Sequence, residues 1–169
     1  MLRRLAVALP FLLAAGSAVS PAQKAPITVY LVRHAEKGPE VPDPSLTDAG
    51  RTRAAELARV LADSQVTALF VTEFKRTQET AAPLATATGK KPVKLLARDV
   101  DALVEEIRAL PAGSKALVVT HSNLVNLIVD KLSGVKITPL TDLDYDKLIV
   151  VRVTGKGKGT AVVNHYGDR

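Results

Sequence analysis

The sequence predicts a layered α/β fold: a three-layer α/β/α sandwich with a mostly parallel central sheet and an antiparallel C-terminal edge strand. Three observations point to it. Short β-branched runs alternate with helical patterns from residue 27 onward, the order that builds parallel sheets covered by helices. Residues 116–119 are continuously apolar, as a central strand buried on both faces must be. The last two strand-like runs are separated only by Gly155-Lys156-Gly157-Lys158-Gly159, which reads as a hairpin loop.

The elements follow in order. Residues 27–32 are β-branched and aromatic and read as the first strand. Gly38, Pro39, Pro42 and Pro44 break the chain after it. Thr47 is the expected N-cap of a helix to about residue 63, with Ala54, Leu57, Val60 and Leu61 as its apolar stripe. Residues 68–71 form the next strand, and residues 75–88 a helix stopped by Gly89. Pro83 inside that helix predicts a kink or a late first turn. Residues 92–96 read as a short strand. Val100, Leu103, Val104, Ile107 and Leu110 mark an amphipathic helix. Residues 116–120 are a strand, and Leu124, Val125, Leu127, Ile128 and Leu132 line a nearly all-apolar helix ending at Gly134. Residues 148–153 and 161–166 are the closing pair. A phosphate-binding role for the Gly/Lys run is the weaker reading, because it lacks the Walker spacing and no helix follows it.

Composition narrows the chemistry. The 169 residues include no cysteine, which excludes disulfide frameworks, thiol nucleophiles and Cys-ligated metal centres. The net charge is +6, with Arg3 and Arg4 supplying two of the charges. Three Tyr, three Phe and no Trp leave few platforms for base stacking, so no nucleic acid partner is expected and an anionic small ligand fits the charge. At the N-terminus, Arg3 and Arg4 precede an apolar run over residues 5–15 and then small residues to Ala22. That is the order of a secretory signal peptide. Residues 1–22 are therefore expected to be a signal peptide, an uncleaved anchor being the alternative, and residues 23–169 an exported, periplasmic or extracellular domain without stable membrane insertion.

In a sheet of this class ligands bind beyond the carboxyl ends of the strands. Three such ends carry Arg33-His34, then Thr72-Glu73-Phe74-Lys75-Arg76, then His121-Ser122-Asn123. Each has an ordinary explanation alone, as polar loop, solvated charge or helix cap. Together, two Arg and two His on one rim repel one another unless an anion lies between them. Phosphate suits guanidinium forks and helix N-termini.

Arg33-His34-Ala35-Glu36 resembles the Arg-His-Gly-Glu signature of the histidine phosphatase superfamily, the branch that includes phosphoglycerate mutases and bacterial phosphohistidine phosphatases. Further matches follow in chain order. Asp43 with Leu46-Thr47-Asp48-Ala49-Gly50 resembles the family's Leu-Thr-x-x-Gly. Thr72-x-Phe74-x-Arg76-Thr77-x-x-Thr80-Ala81 resembles its Ser-x-Leu-x-Arg-Ala-x-x-Thr-Ala, and His121-Ser122-Asn123 its Gly-His-x-Asn. Departures are Ala35 for Gly and Thr120 for the Gly before the second His. The resemblance implies a phosphoglycerate mutase-like fold and a metal-independent phosphatase without cofactor. His34 would be the nucleophile, carrying a phosphohistidine, and Arg33, Arg76, His121 and Asn123 would bind phosphate.

The mutases carry a Glu proton donor in a longer segment that this chain lacks. Asp99 is the positional candidate for a leaving-group acid, with Asp101, Glu73 and Glu36 behind it, and helix capping is the other role open to Asp99. Expected partners are a phosphorylated small molecule or phosphoprotein, with inorganic phosphate as product. Alternatives are a catalytically weak phosphate-binding or regulatory module of the same fold, a mutase-type phosphotransferase, and a metal-dependent hydrolase using His34 and His121 with Glu36 or Asp99. No metal-ligand spacing supports the last. His165 reads as structural.

Overall fold

The computed structural model describes residues 24–168; the expected signal peptide lies outside them. Six strands form one mixed sheet. They are β1 (Ile27–Arg33), β2 (Ala68–Thr72), β3 (Val93–Leu95), β4 (Lys115–Thr120), β5 (Lys147–Gly155) and β6 (Lys158–His165), in the order β3-β2-β4-β1-β5-β6. The first four run parallel, while β5 pairs antiparallel with β1 and with β6. The expected sandwich is thus present, with β4 at its centre and a C-terminal antiparallel hairpin at one edge.

Among the described residues four α-helices cover the sheet: α1 (Asp48–Val60), α2 (Lys75–Thr88), α3 (Val100–Ala109) and α4 (Ser122–Ser133). The period-two alternation of each strand decides which helices it meets. Val29 and Leu31 of β1 pack with Leu103, Ile107, Ile128 and Leu132 of α3 and α4. Val32, on the other face, packs with Leu57 of α1 and Leu84 of α2. Burying one such aliphatic side chain stabilises the fold by about 1.5–3 kcal/mol. No helix among the described residues is long and apolar enough to cross a membrane.

Several expectations are refined. α1 stops at Val60 and continues as a 3-10 turn, Ala62–Ser64. Val60 and Leu127, both assigned to apolar stripes, are solvent-exposed because each sits at the margin of its helix's buried face. α2 begins at Lys75 and runs through Pro83 to Gly89, so the first turn is not delayed. The Gly/Lys run is mostly strand: Gly155 pairs with Lys158, leaving a tight turn at Lys156 and Gly157. Gly159 must lack a side chain there, since a Cβ would stand 2.1 Å from the Arg152 carbonyl oxygen.

The connections create the crevice. β1 leaves the sheet toward α1 on one face, and the neighbouring β4 leaves toward α4 on the other. Divergent connections from adjacent parallel strands open a cleft at their carboxyl ends. His34 and His121 are the first residues after those two strands.

Candidate active site

The site begins with a backbone lock. The His34 N–H donates to the Thr120 carbonyl at 2.8 Å, extending the β1–β4 ladder one step past the strands. The next amide, of Ala35, donates to the Thr80 hydroxyl at 3.0 Å, and Thr80 donates to the Arg76 carbonyl at 2.6 Å. One threonine on α2 thus couples the backbone that carries His34 to the backbone that carries Arg76. The spacing Arg76-Thr77-x-x-Thr80 follows from this, because positions four apart share a helix face.

His34 is buried, 4% exposed, with its Nδ1 2.8 Å from the Ala35 carbonyl. A carbonyl only accepts, so Nδ1 bears the proton and Nε2 keeps its lone pair. The ring is pushed down to a pKa of about 3, chiefly by burial; the Ala35 carbonyl opposes this, and Arg33, His121 and Arg76 add to it. Burial thus outweighs the guanidiniums in holding His34 neutral.

His121 lies across the cleft, its ring centroid 5.5 Å from that of His34. Its pKa is lowered to about 4, mainly by burial and then by Arg76, with Glu73 opposing. Its tautomer can be traced along a hydroxyl chain. Thr77 donates to the Phe74 carbonyl at 2.8 Å, so its oxygen accepts, from the Thr72 amide at 3.1 Å and from the Thr72 hydroxyl at 3.0 Å. Thr72 then accepts from His121 Nε2 at 3.1 Å. The edge of the Phe74 ring packs on His121, centroids 5.3 Å apart.

The two guanidiniums are held from outside. Arg33 donates to the Thr141 carbonyl at 3.1 Å and, through Nη2, to Asp142 and the Tyr145 hydroxyl at 3.3 Å each. Its planar head stacks 4.1 Å above the Tyr145 ring. Arg76 stacks 4.3 Å above Phe74 and lies 3.7 Å from Asp43, which also accepts the Lys75 amide at 3.0 Å. Burial pulls the Arg76 pKa down while Asp43 and Glu73 pull it back up. Among the described residues the Nε–H groups of Arg33 and Arg76 are enclosed without a hydrogen-bond partner. Both guanidinium groups line the same cleft, and a tetrahedral oxyanion is the ligand that suits two such forks.

Arg33, His34, Phe74, Arg76 and His121 line a cleft of about 390 Å³ with Lys37, Ala97, Arg98, Ser122, Asn123 and Asp142. Arg33, His34, Arg76, His121 and Asn123 are therefore brought together. Asn123 is an exposed residue in the first turn of α4, whose N-terminus opens on the cleft. The suggested acids are occupied elsewhere. Asp99 is the N-cap of α3, accepting the Ala102 amide at 3.1 Å, and is not among the lining residues. Glu36 accepts from Arg53 Nε at 2.8 and 3.0 Å, Glu73 from the Ala97 amide at 2.7 Å, and Asp101 pairs with Lys131 at 2.8 Å. Among the described residues the one carboxylate lining the cleft is Asp142, paired with Arg33. Among the described residues no group of three or more His, Asp or Glu is arranged to hold a metal ion.

Sequence reasoning missed the segment 141–145. Thr141, Asp142 and Tyr145 sit more than a hundred residues from the arginine they hold, in a stretch without periodicity. Phe74 was visible only as a motif position.

The fold is that of phosphoglycerate mutase-like α/β proteins, and the cleft is suited to a tetrahedral oxyanion. The family model described as the histidine phosphatase superfamily, branch 1, matches residues 29–98. Among solved structures, a protein assigned as phosphohistidine phosphatase SixA from Nakamurella multipartitia is 23% identical, with a TM-score of 0.64 over 85% of this chain and 98% of that one. The protein histidine phosphatase SixA complexed with tungstate is 20% identical, with a TM-score of 0.62 over 82% of this chain and 95% of that one. A phosphoglycerate mutase from Bacillus anthracis is 12% identical, with a TM-score of 0.66 over 84% and 94%. No curated protein matches the chain.

Proposed function

We propose that the chain is a member of the histidine phosphatase superfamily and a metal-independent phosphatase. It hydrolyses a phosphorylated small molecule or phosphoprotein through a phosphohistidine on His34. The observation that carries this reading is the unprotonated Nε2 of a neutral His34 in one cleft with the guanidinium groups of Arg33 and Arg76 and with His121.

In the first step the Nε2 lone pair attacks phosphorus in line. The N–P bond forms as the bond to the leaving group breaks, and the leaving group departs with that electron pair. Arg33 and Arg76 stabilise the charge on the equatorial oxygens, which is most of what phosphoryl transfer demands. In the second step water attacks the phosphohistidine, releasing inorganic phosphate and restoring Nε2. With Asp99, Glu36, Glu73 and Asp101 each bound in a structural role, departure without a strong acid favours leaving groups of low basicity: a phosphoryl group on nitrogen, on an acyl oxygen or on a phenol.

His34→Ala tests the reading. Turnover of p-nitrophenyl phosphate should fall about 10³-fold or more, and acid-labile phosphate should disappear from the protein. Activity should survive EDTA and be inhibited by vanadate. Full labelling of His34→Ala protein, or loss of activity to EDTA restored by zinc, would refute it. The N-terminal pattern supports export, and a mature chain beginning between Val19 and Lys24 by mass spectrometry would bear on that.

A further inference from the structure

Four cationic side chains line the cleft, and they stand at two levels of burial. Arg33 and Arg76 lie deep, with side chains 4% and 14% exposed, and each has a carboxylate beside it, Asp142 and Asp43. Lys37 and Arg98 also line the cleft, but both are exposed at its mouth. Among the described residues neither takes part in an ion pair or donates a side-chain hydrogen bond. Yet neither is on slack backbone. Lys37 is fixed in an isolated antiparallel bridge with Leu46, and the adjacent Gly38 amide donates to the Ser45 carbonyl at 2.9 Å. Arg98 is held from both sides: the Ala97 amide is bound by the Glu73 carboxylate at 2.7 Å, and Asp99 caps α3.

Two cations on pinned backbone, without carboxylates of their own, face the same opening. Because both line the same cleft, an anionic group seated at its mouth is attracted by both. The cleft volume of about 390 Å³ is in the range of small-molecule sites, roughly 300–1,000 Å³, which leaves room beyond a single phosphoryl group.

We propose that Lys37 and Arg98 form a second anion subsite, so that the preferred ligand carries a carboxylate or a second phosphate in addition to the phosphoryl group held by Arg33 and Arg76. This rests on the phosphoryl-binding reading above. It makes the mouth of the cleft a selector: an ester with a neutral body gains only the deep contacts, and a doubly anionic one gains both sets.

Equilibrium binding of phosphonates, which cannot turn over, tests this apart from catalysis. Phenylphosphonate, 3-carboxyphenylphosphonate and benzene-1,3-diphosphonate are titrated calorimetrically into wild-type protein and into the Lys37→Gln/Arg98→Gln variant. Wild type should bind one or both of the doubly anionic probes at least tenfold more tightly than phenylphosphonate. The variant should lose most of that ratio, the size expected for charge-assisted contacts. Preference for one doubly anionic probe over the other identifies carboxylate or phosphate as the second group. Equal affinity for all three in wild type, or a preference the variant retains, overturns the proposal. A ratio that behaves as expected in a protein that hydrolyses no phosphate ester would leave the subsite standing and refute the phosphatase reading instead.

Discussion

Tyr145 stands under Arg33. Its ring lies 4.1 Å from the guanidinium carbon, and its hydroxyl accepts from Arg33 Nη2 at 3.3 Å. The same ring approaches His34, with centroids 6.3 Å apart. A residue between α4 and β5 therefore sets the orientation of the guanidinium beside the nucleophile. Stacking fixes the plane of Arg33, and with it the position of the charge that faces the cleft.

Removing the ring should cost more than removing the hydroxyl. Cation–π contact is worth about 0.5–2 kcal/mol, depending on exposure. Tyr145→Phe keeps the face and should hold kcat/KM within about threefold of wild type. Tyr145→Leu frees Arg33 and should lower kcat/KM about tenfold or more, toward the roughly 10²–10³ cost of losing one charged donor to the transition state. Steady-state kinetics on p-nitrophenyl phosphate measures both; equal behaviour of the two variants would show that stacking does not position Arg33.

The histidines make stability depend on pH. Both pKa values are lowered from 6.5, His34 to about 3 and His121 to about 4. Between pH 6.5 and those values the unfolded chain binds protons that the native state does not, so stability rises with pH in this window. The contribution is complete above pH 6.5, falls as pH drops below it, and is lost by about pH 3. Urea unfolding at pH 7, 5.5 and 4.5 should show a steeper loss for wild type than for His34→Gln/His121→Gln. Identical slopes would mean that the rings are protonated in the native state.

Asp99 should behave as a cap. Its carboxylate accepts from the Ala102 amide, and replacing an N-cap Asp by Ala costs about 0.5–2 kcal/mol, whereas Asn serves almost as well. Asp99→Ala should lower the unfolding midpoint in urea, and Asp99→Asn should leave it nearly unchanged. Neither should alter the ratio of rates on phenyl and p-nitrophenyl phosphate. A selective loss on phenyl phosphate, the poorer leaving group, would restore Asp99 as a proton donor.

What the sequence disclosed and what it withheld divide along one physical line. The strands, the four helices and the placement of Arg33, His34, Arg76 and His121 at strand or helix ends were legible because hydrophobic period and breaker residues act over a few positions. Thr80 could be seen in a motif but not its bond to the Ala35 amide, which closes only when α2 packs behind β1. Tyr145 and Asp142 left no local signal, since their partner Arg33 is over a hundred residues away. The Gly155–Gly159 run holds the hairpin turn that its composition predicts, at Lys156 and Gly157, while Gly155, Lys158 and Gly159 already belong to the paired strands.

Gly50 shows why a glycine ends the Leu46-Thr47-Asp48-Ala49-Gly50 run. A Cβ on Gly50 would stand 2.2 Å from the Glu36 carbonyl oxygen. That oxygen is the acceptor for the Thr47 amide at 3.0 Å and the Thr47 hydroxyl at 3.3 Å, while the Thr47 hydroxyl caps α1 through the Gly50 amide at 3.1 Å. The first turn of α1 is therefore seated on the residue two positions after His34. Gly50→Ala must push the helix off that seat, a clash with backbone that no side chain can relieve. Overpacking of this kind costs about 1–3 kcal/mol, or a melting temperature lower by roughly 2–4 °C per kcal/mol for a chain of this size. Activity should fall with it, because Glu36 and His34 share one short stretch of backbone. Gly89→Ala is the control. Gly89 has a φ of 66°, and nothing within 4 Å would meet a Cβ there. Its cost is left-handed backbone strain of about 1–2 kcal/mol at the end of α2, far from the cleft, so stability should drop while kcat/KM on the folded protein is kept. Thermal melts with p-nitrophenyl phosphate kinetics on both variants separate the outcomes. Wild-type activity in Gly50→Ala would show that the α1 seat does not position the nucleophile.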